Sequence, residues 1–564
     1  MGKEANKKRK KRTEIKKSQN AKNEEEKKFQ MTPSEIESKI KELLRKDFSK
    51  DADLFSLTQP PAHIEADAST NFAIIISKKN KLKPEEVYSK ISNILSEHGF
   101  KTETASGFIN IFFPPKIYRD YINEINSGEK IFAKDYNKSK KTIVEFVSAN
   151  PTGPLHLASA SAASMGDSLS SIMKELGYPV FKEYYVNNVG NQIEMLGKSL
   201  MARYLGQDVP EEGYHGDYLI EIAKKLPFEA KEWADKNEIL KFSQFAVNEI
   251  IKTQKEDMEL FGVDFDNWFY ESELHEKNLP NLVLEKLIEK KAVEEKDGAK
   301  WLKMENSEDK ERVLVKSNGL KTYFLNDLAY HLTKYERGFD WIIDIWGADH
   351  HGYIPRMKAG IKMLGLDEKK FTVLIHQLVS IKKGDEILKM SKRAGTFYTL
   401  RRLVEETSKD AVRFFFTTRS PNTHLVFDIE LAKKQSNENP LYYVQYAHAR
   451  ICSIMENSKN KNFNPEDINS FGNYEPTRDD KKVIKKIFWF EKILNQCVKD
   501  LSPHHITTYL IELAGEFHSY YERNKIIDET NENSTRARLF ILKGIKSSIK
   551  KGLELIGVSA PERM

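Results

Sequence analysis

Cysteine is nearly absent: Cys452 and Cys497 are the only two in 564 residues. They allow at most one disulfide and outline no metal site, which fits a reducing, cytoplasmic compartment. Long apolar runs are missing too. No stretch approaches the roughly 18 residues that a membrane-spanning helix needs, so no membrane partner is expected, and the start lacks the apolar core of a secretory signal. Charge of one sign is also scarce in bulk. Residues 1–30 hold 12 Lys and Arg against 5 Asp and Glu, so this tail carries the whole excess of the +6 chain and the remainder is nearly neutral. The tail is poor in apolar residues and is expected to be disordered, either as a solvated extension or as a loose electrostatic hook for RNA. What is present is ample material for several domains, with 39% hydrophobic and 11% aromatic residues.

Thr32-Pro33-Ser34-Glu35 offers a cap, a first-turn proline and an early acid, and predicts a helix over Thr32–Lys46. Asn71–Ser77 and Phe108–Phe113 read as strands and Pro84–His98 as a helix, a small α+β unit over residues 31–127. From Lys141 the pattern changes. Thr142–Val147 is β-rich, a Pro/Gly turn follows, Ala158–Leu176 reads as a helix and Val180–Asn187 as the next strand. That order implies a parallel unit with a right-handed crossover. Trp341–Trp346 and Phe371–Ile375 are later strand candidates. The expected fold class is therefore α/β: a split Rossmann-type parallel sheet over 128–430, with a charged, mostly helical insertion at about 195–320. Asn460–Asn473 is a loop by composition. The region 431–564 reads as all-helical, with Ile541, Leu542, Ile545, Ile549, Leu553 and Ile556 on one face of its last helix.

Two motifs carry the chemistry. Ser148-Ala149-Asn150-Pro151-Thr152-Gly153-Pro154-Leu155-His156 reads as a strand end, a turn and the start of a helix, whose free N–H groups and positive dipole end form an anion site. His156 there could donate to a phosphate oxygen as charge builds. Lys389-Met390-Ser391-Lys392-Arg393-Ala394-Gly395 is a basic loop whose lysines, point charges on long stems, suit a leaving pyrophosphate. Each motif alone is weak; in company they suggest adenylate chemistry.

An ordered set of further segments gives a family resemblance. VEFVSANPTGPLH at 144–156, EYYVNNVGNQI at 183–193, TYFLNDLAYH at 322–331, GADHHGYIPRMKA at 347–359, KMSKRAGT at 389–396, DAVRFFF at 410–416, NPLYYVQYAHARICSI at 439–454 and GVSAPERM at 557–564 together resemble class I aminoacyl-tRNA synthetases, specifically arginyl-tRNA synthetases. The resemblance implies ligation of L-arginine to tRNA(Arg) through an arginyl-adenylate, with ATP and Mg2+ as substrates and no tightly bound metal. It implies His156, Lys389, Lys392 and Arg393 as catalytic residues. Glu145, Asn150, Tyr323 and Asp327 would surround arginine, since a guanidinium calls for carboxylates and a stacking or hydroxyl partner. Glu145 could instead be the exposed face of a strand, and Asp327 a surface acid. Pro154, His156, Ala158, Ser159, Asp349, His350, Lys389, Met390, Ser391 and Lys392 would line the ATP site. Asp349, His350 and His351 read as strand residues that point apart with no third soft ligand nearby, which argues against zinc.

The resemblance further implies a D-loop-reading N-terminal domain, where Phe108 stacks and Asn110 reads a base, although Phe108 could equally be core. It implies a C-terminal anticodon-binding bundle, where Tyr446 and Arg450, with Tyr442 and His448, are RNA contacts or packing; Tyr520, Tyr521 and Asn524 form a second such cluster. A monomer that binds tRNA before activating arginine is the family expectation. The chain departs from the family at His156-Leu157-Ala158-Ser159, where His-x-Gly-His is usual, at Asn187-Asn188-Val189-Gly190, where one acid is lost, and at Asn326, where arginine is common. These changes sit at the nucleotide site and leave open an alternative class, a weakened or inactive relative that binds tRNA or other RNA.

Overall fold

The computed structural model describes residues 32–61, 63–127, 135–303, 312–388 and 398–564. The helix Pro33–Phe48 starts as its sequence demands. Thr32 Oγ1 accepts from the Glu35 amide at 3.3 Å and Glu35 Oε2 accepts from the Thr32 amide at 2.8 Å, so two end groups are satisfied reciprocally. Its Ile36, Ile40 and Leu44 are buried at helical spacing. Strands β1 (Ala68–Thr70), β2 (Lys101–Ala105) and β3 (Phe108–Phe112) form an antiparallel sheet in the order β1-β3-β2. The expectation of a strand over Asn71–Ser77 is overturned: Phe72–Asn80 is a helix. Its three consecutive isoleucines favour β locally, but Phe72, Ala73, Ile76 and Ser77 are buried one turn apart, and that packing overrides the propensity of β-branched residues.

The central sheet contains β4 (Thr142–Glu145), β5 (Val180–Val186), β6 (Asn267–Tyr270), β10 (Trp341–Gly347) and β11 (Phe371–His376), all parallel, in the order β11-β10-β4-β5-β6. Four of the five match the strands expected from sequence. β6 comes from the stretch read as mostly helical, and so does a small antiparallel sheet of β7 (Val293–Lys296), β8 (Ala299–Leu302) and β9 (Val313–Val315). Both are corrections. β6 is a four-residue aromatic run and β7 is charged, so neither alternates clearly enough to be legible. A third sheet joins β12 (Val379–Lys383), β13 (Glu386–Ile387) and β14 (Leu425–Asp428).

In the central sheet the chain leaves β4 toward β5 on one side and β10 toward β11 on the other. The order therefore reverses between β4 and β10. Ligands of open parallel sheets bind beyond the strand ends at such a point, here beyond Glu145 and Gly347. The helix Leu157–Glu175 crosses above it. Gly166 is obligatory in this helix, because a Cβ there would lie 2.2 Å from the Phe146 ring.

The C-terminal region packs helices Pro440–Lys459, Arg478–Phe488, Phe490–Lys499, His504–Arg523 and Glu532–Leu555. Ile541, Leu542, Ile545, Ile549, Leu553 and Ile556 are all fully buried, as the spacing predicts. This bundle shares a core with the N-terminal unit: Phe488 meets Phe113, Tyr118 and Tyr121 at ring separations of 5.6, 5.2 and 5.0 Å. Both cysteines are free thiols, Cys497 buried. No helix among the described residues is long and apolar enough to cross a membrane.

Arg413 ties bundle and sheet together. It is fully buried and donates from Nη2 to Asp167 Oδ2 at 2.5 Å, from Nε to the Ile556 carbonyl at 2.8 Å and from Nη1 to the Phe261 carbonyl at 3.4 Å. Gly557 faces it at φ +69°, where any Cβ would strike the guanidinium. Removing one partner of a buried pair strands the other charge and typically costs about 3–5 kcal/mol. Arg413→Ala should therefore lower the thermal midpoint strongly, whereas a midpoint equal to that of the parent would show that Lys182, 3.1 Å from Asp167, is partner enough.

Candidate active site

The first motif leaves β4 through a strained turn. Val147 and Ser148 have φ of 69° and 38°, a region that costs a β-branched residue on the order of 1–3 kcal/mol. Ser148 Oγ donates to Glu145 Oε1 at 2.9 Å and accepts from the Tyr185 amide at 3.1 Å. Asn150 is exposed, its amide donating to Gln192 Oε1 at 2.9 Å. His156 caps the helix Leu157–Glu175, with Nδ1 accepting from the Ala158 amide at 3.2 Å. It also pairs as a β-bridge with Thr399, while Leu155 O accepts from the Leu400 amide at 2.9 Å. The helix start is thus fixed against the segment that follows the second motif. Pro154 and Ala158 are half-buried beside it and Ser159 is buried. Lys389, Met390, Ser391, Lys392 and Arg393 lie outside the described residues.

Beneath the strand ends sits a buried ionic network. Glu145 of β4 is buried, not on an exposed strand face. Lys334, fully buried, donates to Glu145 Oε2 at 2.5 Å and to Asp344 Oδ1 of β10 at 2.8 Å. His331 Nε2 faces Asp344 Oδ2 at 2.8 Å. On β5, Glu183 receives a bidentate pair from Arg337 at 2.6 and 2.7 Å, with Tyr330 Oη at 2.8 Å. Burial would raise Asp344, yet Lys334 and His331 bring it below the usual carboxylate range; at Glu145 burial wins over Lys334 and the carboxyl is raised. The network is negative in excess, and the excess falls at Glu145.

A second acidic group lies alongside. Glu271 starts the helix Glu271–Glu276 and is buried. Its Oε1 accepts from Asn326 Nδ2 at 2.9 Å, and the Asn187 amide, oriented with its nitrogen inward, donates to Oε2 at 2.8 Å. Asp327 is half-buried and accepts from Tyr353 Oη at 2.5 Å. Among the described residues neither carboxylate accepts from a lysine or arginine. Burial pushes Glu271 up to about 7, with the Asp327 charge adding to the rise against the Asn326 and Tyr185 hydrogen bonds; burial also raises Asp327. The Tyr185 hydroxyl is pushed up by burial and by the charges of Glu271, Asp327 and Glu145. Tyr323 begins the same helix as Asp327, is 57% exposed, and holds its hydroxyl 3.4 Å from where a Cβ on Gly190 would stand. Two raised carboxylates, hydroxyls and an exposed ring therefore lie close together at this face. Glu271, the key member, was not legible from sequence, because nothing near Tyr270-Glu271 marks it.

Asp349, His350 and His351 occupy a 3-10 turn, Ala348–Tyr353, beyond β10 rather than the strand itself. The turn, not strand alternation, sets their directions, and Asp349 pairs with His350 at 3.6 Å on the exposed rim. Phe108 is 41% exposed at a strand start. Asn110 is buried instead, its Oδ1 accepting from Ser69 Oγ at 2.6 Å across the sheet. On the bundle, Tyr442 stacks near Tyr446 at 6.0 Å and Tyr446 on His518 at 5.9 Å, while Arg450 lies over the Tyr521 ring at 5.2 Å and donates to its hydroxyl at 3.1 Å. His518 joins this platform unexpectedly. His448 and Tyr520 belong to packing: both are buried, bonded to the Pro561 carbonyl and to Asp480, and the Asn524 amide only caps the Tyr520 carbonyl.

Three family models match in order: the arginyl tRNA synthetase N terminal domain over 27–113, the class I (R) tRNA synthetase catalytic domain over 122–425, and the DALR anticodon binding domain over 444–564. An arginine–tRNA ligase from Elusimicrobium minutum is 46% identical over 518 residues, covering 90% of this chain and 95% of its own length. One from Aquifex aeolicus is 38% identical, covering 94% and 99%. The arginyl-tRNA synthetase structure from Thermus thermophilus shares the fold at a TM-score of 0.73 and 18% identity, covering 95% of this chain and 100% of that one. With matches that run in register through all three regions, the chain belongs to the arginyl-tRNA synthetase family.

Proposed function

We propose that the acidic site beside β5 is the arginine pocket of an arginine–tRNA ligase, and that the helix start at His156 is its ATP site. The chain attaches L-arginine to tRNA(Arg) at the expense of ATP. The observation that carries the site assignment is the Glu271–Asp327 pair, two carboxylates that burial leaves short of a cation. A guanidinium seated there returns the missing charge and offers planar donors, with Tyr323 over its face and Tyr185 and Tyr353 as hydroxyl neighbours. Glu145, already engaged by Lys334 and Ser148, contributes negative potential and fixes the turn that presents Asn150 to the amino acid. The arginine carboxylate attacks the α-phosphate of ATP, forming the mixed anhydride as pyrophosphate leaves. The terminal ribose hydroxyl of tRNA then attacks the carbonyl and AMP leaves. The protein supplies position and charge: the helix start and His156 for the phosphates, Lys389, Lys392 and Arg393 for the departing pyrophosphate, Pro154, Ala158, Ser159, Asp349 and His350 for the nucleotide walls. Magnesium enters with the phosphates as part of the substrate; no group of three metal-ligating side chains gathers among the described residues.

The same reading gives tRNA two further contacts, Phe108 on the unit 31–127 for the D-loop and the Tyr442–Tyr446–His518 platform with Arg450 on 431–564 for the anticodon. Stacked aromatics and a guanidinium plane suit splayed single-stranded bases. The enzyme works as a cytoplasmic monomer that engages tRNA before activating arginine.

Glu271 binds a cation only once deprotonated. The KM for arginine should therefore fall as the pH rises through about 7 and level off above it. Glu271→Gln should raise that KM by about 10- to 100-fold, the worth of a lost charged hydrogen bond of roughly 1.5–3 kcal/mol, and flatten its pH profile. A steep profile surviving in Glu271→Gln refutes the assignment. Lys392→Ala should lower the rate of arginine-dependent pyrophosphate exchange by about 10²–10³-fold, the usual loss for one preorganised charge donor, with little change in arginine KM. An unchanged rate removes the second motif from the transition state.

A further inference from the structure

The helix Ile239–Leu260 belongs to the region between the sheet halves and supplies none of the groups assigned above. Its Gln254 is nonetheless fully buried and aimed at the first motif. Gln254 Nε2 donates to the Gly153 carbonyl at 3.0 Å and to the Asn150 carbonyl at 3.4 Å, while its Oε1 accepts from Tyr184 Oη at 3.1 Å. Only this amide orientation satisfies all three contacts. The same Tyr184 hydroxyl reaches the Ala149 carbonyl and takes the Ala149 amide, both at 3.1 Å, and its ring is held by stacking on Trp268 at 4.1 Å. Tyr218 donates to the Thr152 carbonyl at 2.6 Å. Every residue from Ala149 to Gly153 except Pro151 is thus gripped by its backbone, directly after the left-handed Val147 and Ser148. Strain of that kind persists only where the surroundings over-determine it.

One turn along the same helix face, Asp257 is buried and receives Arg401 Nε at 2.9 Å and Nη2 at 2.7 Å. Arg401 opens the helix Leu400–Glu406, the element whose first amide bonds Leu155. One helix therefore holds the turn of the first motif and the element that follows the second.

We infer that Gln254 is a positioning residue for adenylate formation: through Tyr184 and the Asn150 and Gly153 carbonyls it fixes the strained turn that presents Asn150 and His156, and Asp257 sets the same helix against Arg401. This rests on the assignment of Asn150 and His156 to the substrate site. Misplacement of reacting groups by about 1 Å can cost about 10²-fold in rate. Gln254→Met, of similar volume, should lower kcat for tRNA-dependent pyrophosphate exchange by that order, with tRNA(Arg) affinity unchanged. Tyr184→Phe, which deletes one oxygen and keeps the ring on Trp268, should give a smaller fall with the same split. In hydrogen exchange the Ala149 and Thr152 amides should lose protection in both variants. A purely structural role predicts a lower thermal midpoint with kcat per folded molecule within about twofold of the parent, and that result overturns the inference. Should Gln254→Met fail to fold, Tyr184→Phe decides by the same readings. If the parent itself shows no exchange, the functional reading falls instead, and unchanged amide protection in the variants still refutes the positioning role.

Discussion

Everything at the strand ends depends on Lys334. β4, β5 and β10 are neighbours in one parallel sheet, and they bring Glu145, Glu183 and Asp344 into the interior together. Three carboxylates cannot be buried side by side unless cations answer them. Lys334 does so from the helix Tyr323–Glu336, bonded to Glu145 and Asp344, with Arg337 just past the helix end closing on Glu183. The consequence is geometric as much as energetic. An ammonium held between β4 and β10 ties the switch point of the sheet to the helix that carries Tyr323 and Asp327.

The neighbouring acids obey the opposite rule. Glu271 and Asp327 accept hydrogen bonds from amides and a hydroxyl, which stabilise a carboxylate but do not neutralise it. Asp344, held by Lys334 and His331, is lowered, whereas Glu271, which accepts from the amides of Asn326 and Asn187, is raised to about 7. In the proposed arginine pocket, a neutral isostere of the substrate would leave both carboxylates desolvated and unpaired.

Much of this was legible in the chain. The strand-turn-helix at 142–176 reads directly from a β-rich run, a Pro/Gly turn and a small-residue helix, and the strands at 341 and 371 stand out as apolar runs bounded by polar residues. The bundle's last helix shows its buried face at every expected position. The misses share one cause. The helix at Phe72–Asn80 and the strand at Asn267–Tyr270 are decided by what they pack against rather than by their own residues. The same holds for the site. Asn150, His156, Tyr323 and Asp327 lie in recognisable motifs, whereas Glu271, Lys334 and Gln254 act through partners 55, 189 and 101 residues away. The family resemblance offered Asn110 as a base reader, but Ser69 occupies it from the adjacent strand.

The first motif shows why such long-range supports are needed. A turn with Val147 and Ser148 in the left-handed region does not form by local preference. Its residues gain nothing there unless Ser148 meets Glu145 and Tyr185, and Ala149 meets Tyr184. Glu145 in turn sits correctly only because Lys334 holds it. The turn, the ionic network and the helix start at His156 are therefore one construction. The strained turn lifts the backbone clear of β4 so that the helix Leu157–Glu175 can begin over the strand ends, and Gly166 lets that helix lie against Phe146. A relaxed turn would satisfy local preference and aim the helix dipole elsewhere. The strain is offset by buried charge pairs beneath it, and it sets the direction in which the positive end of the helix dipole points.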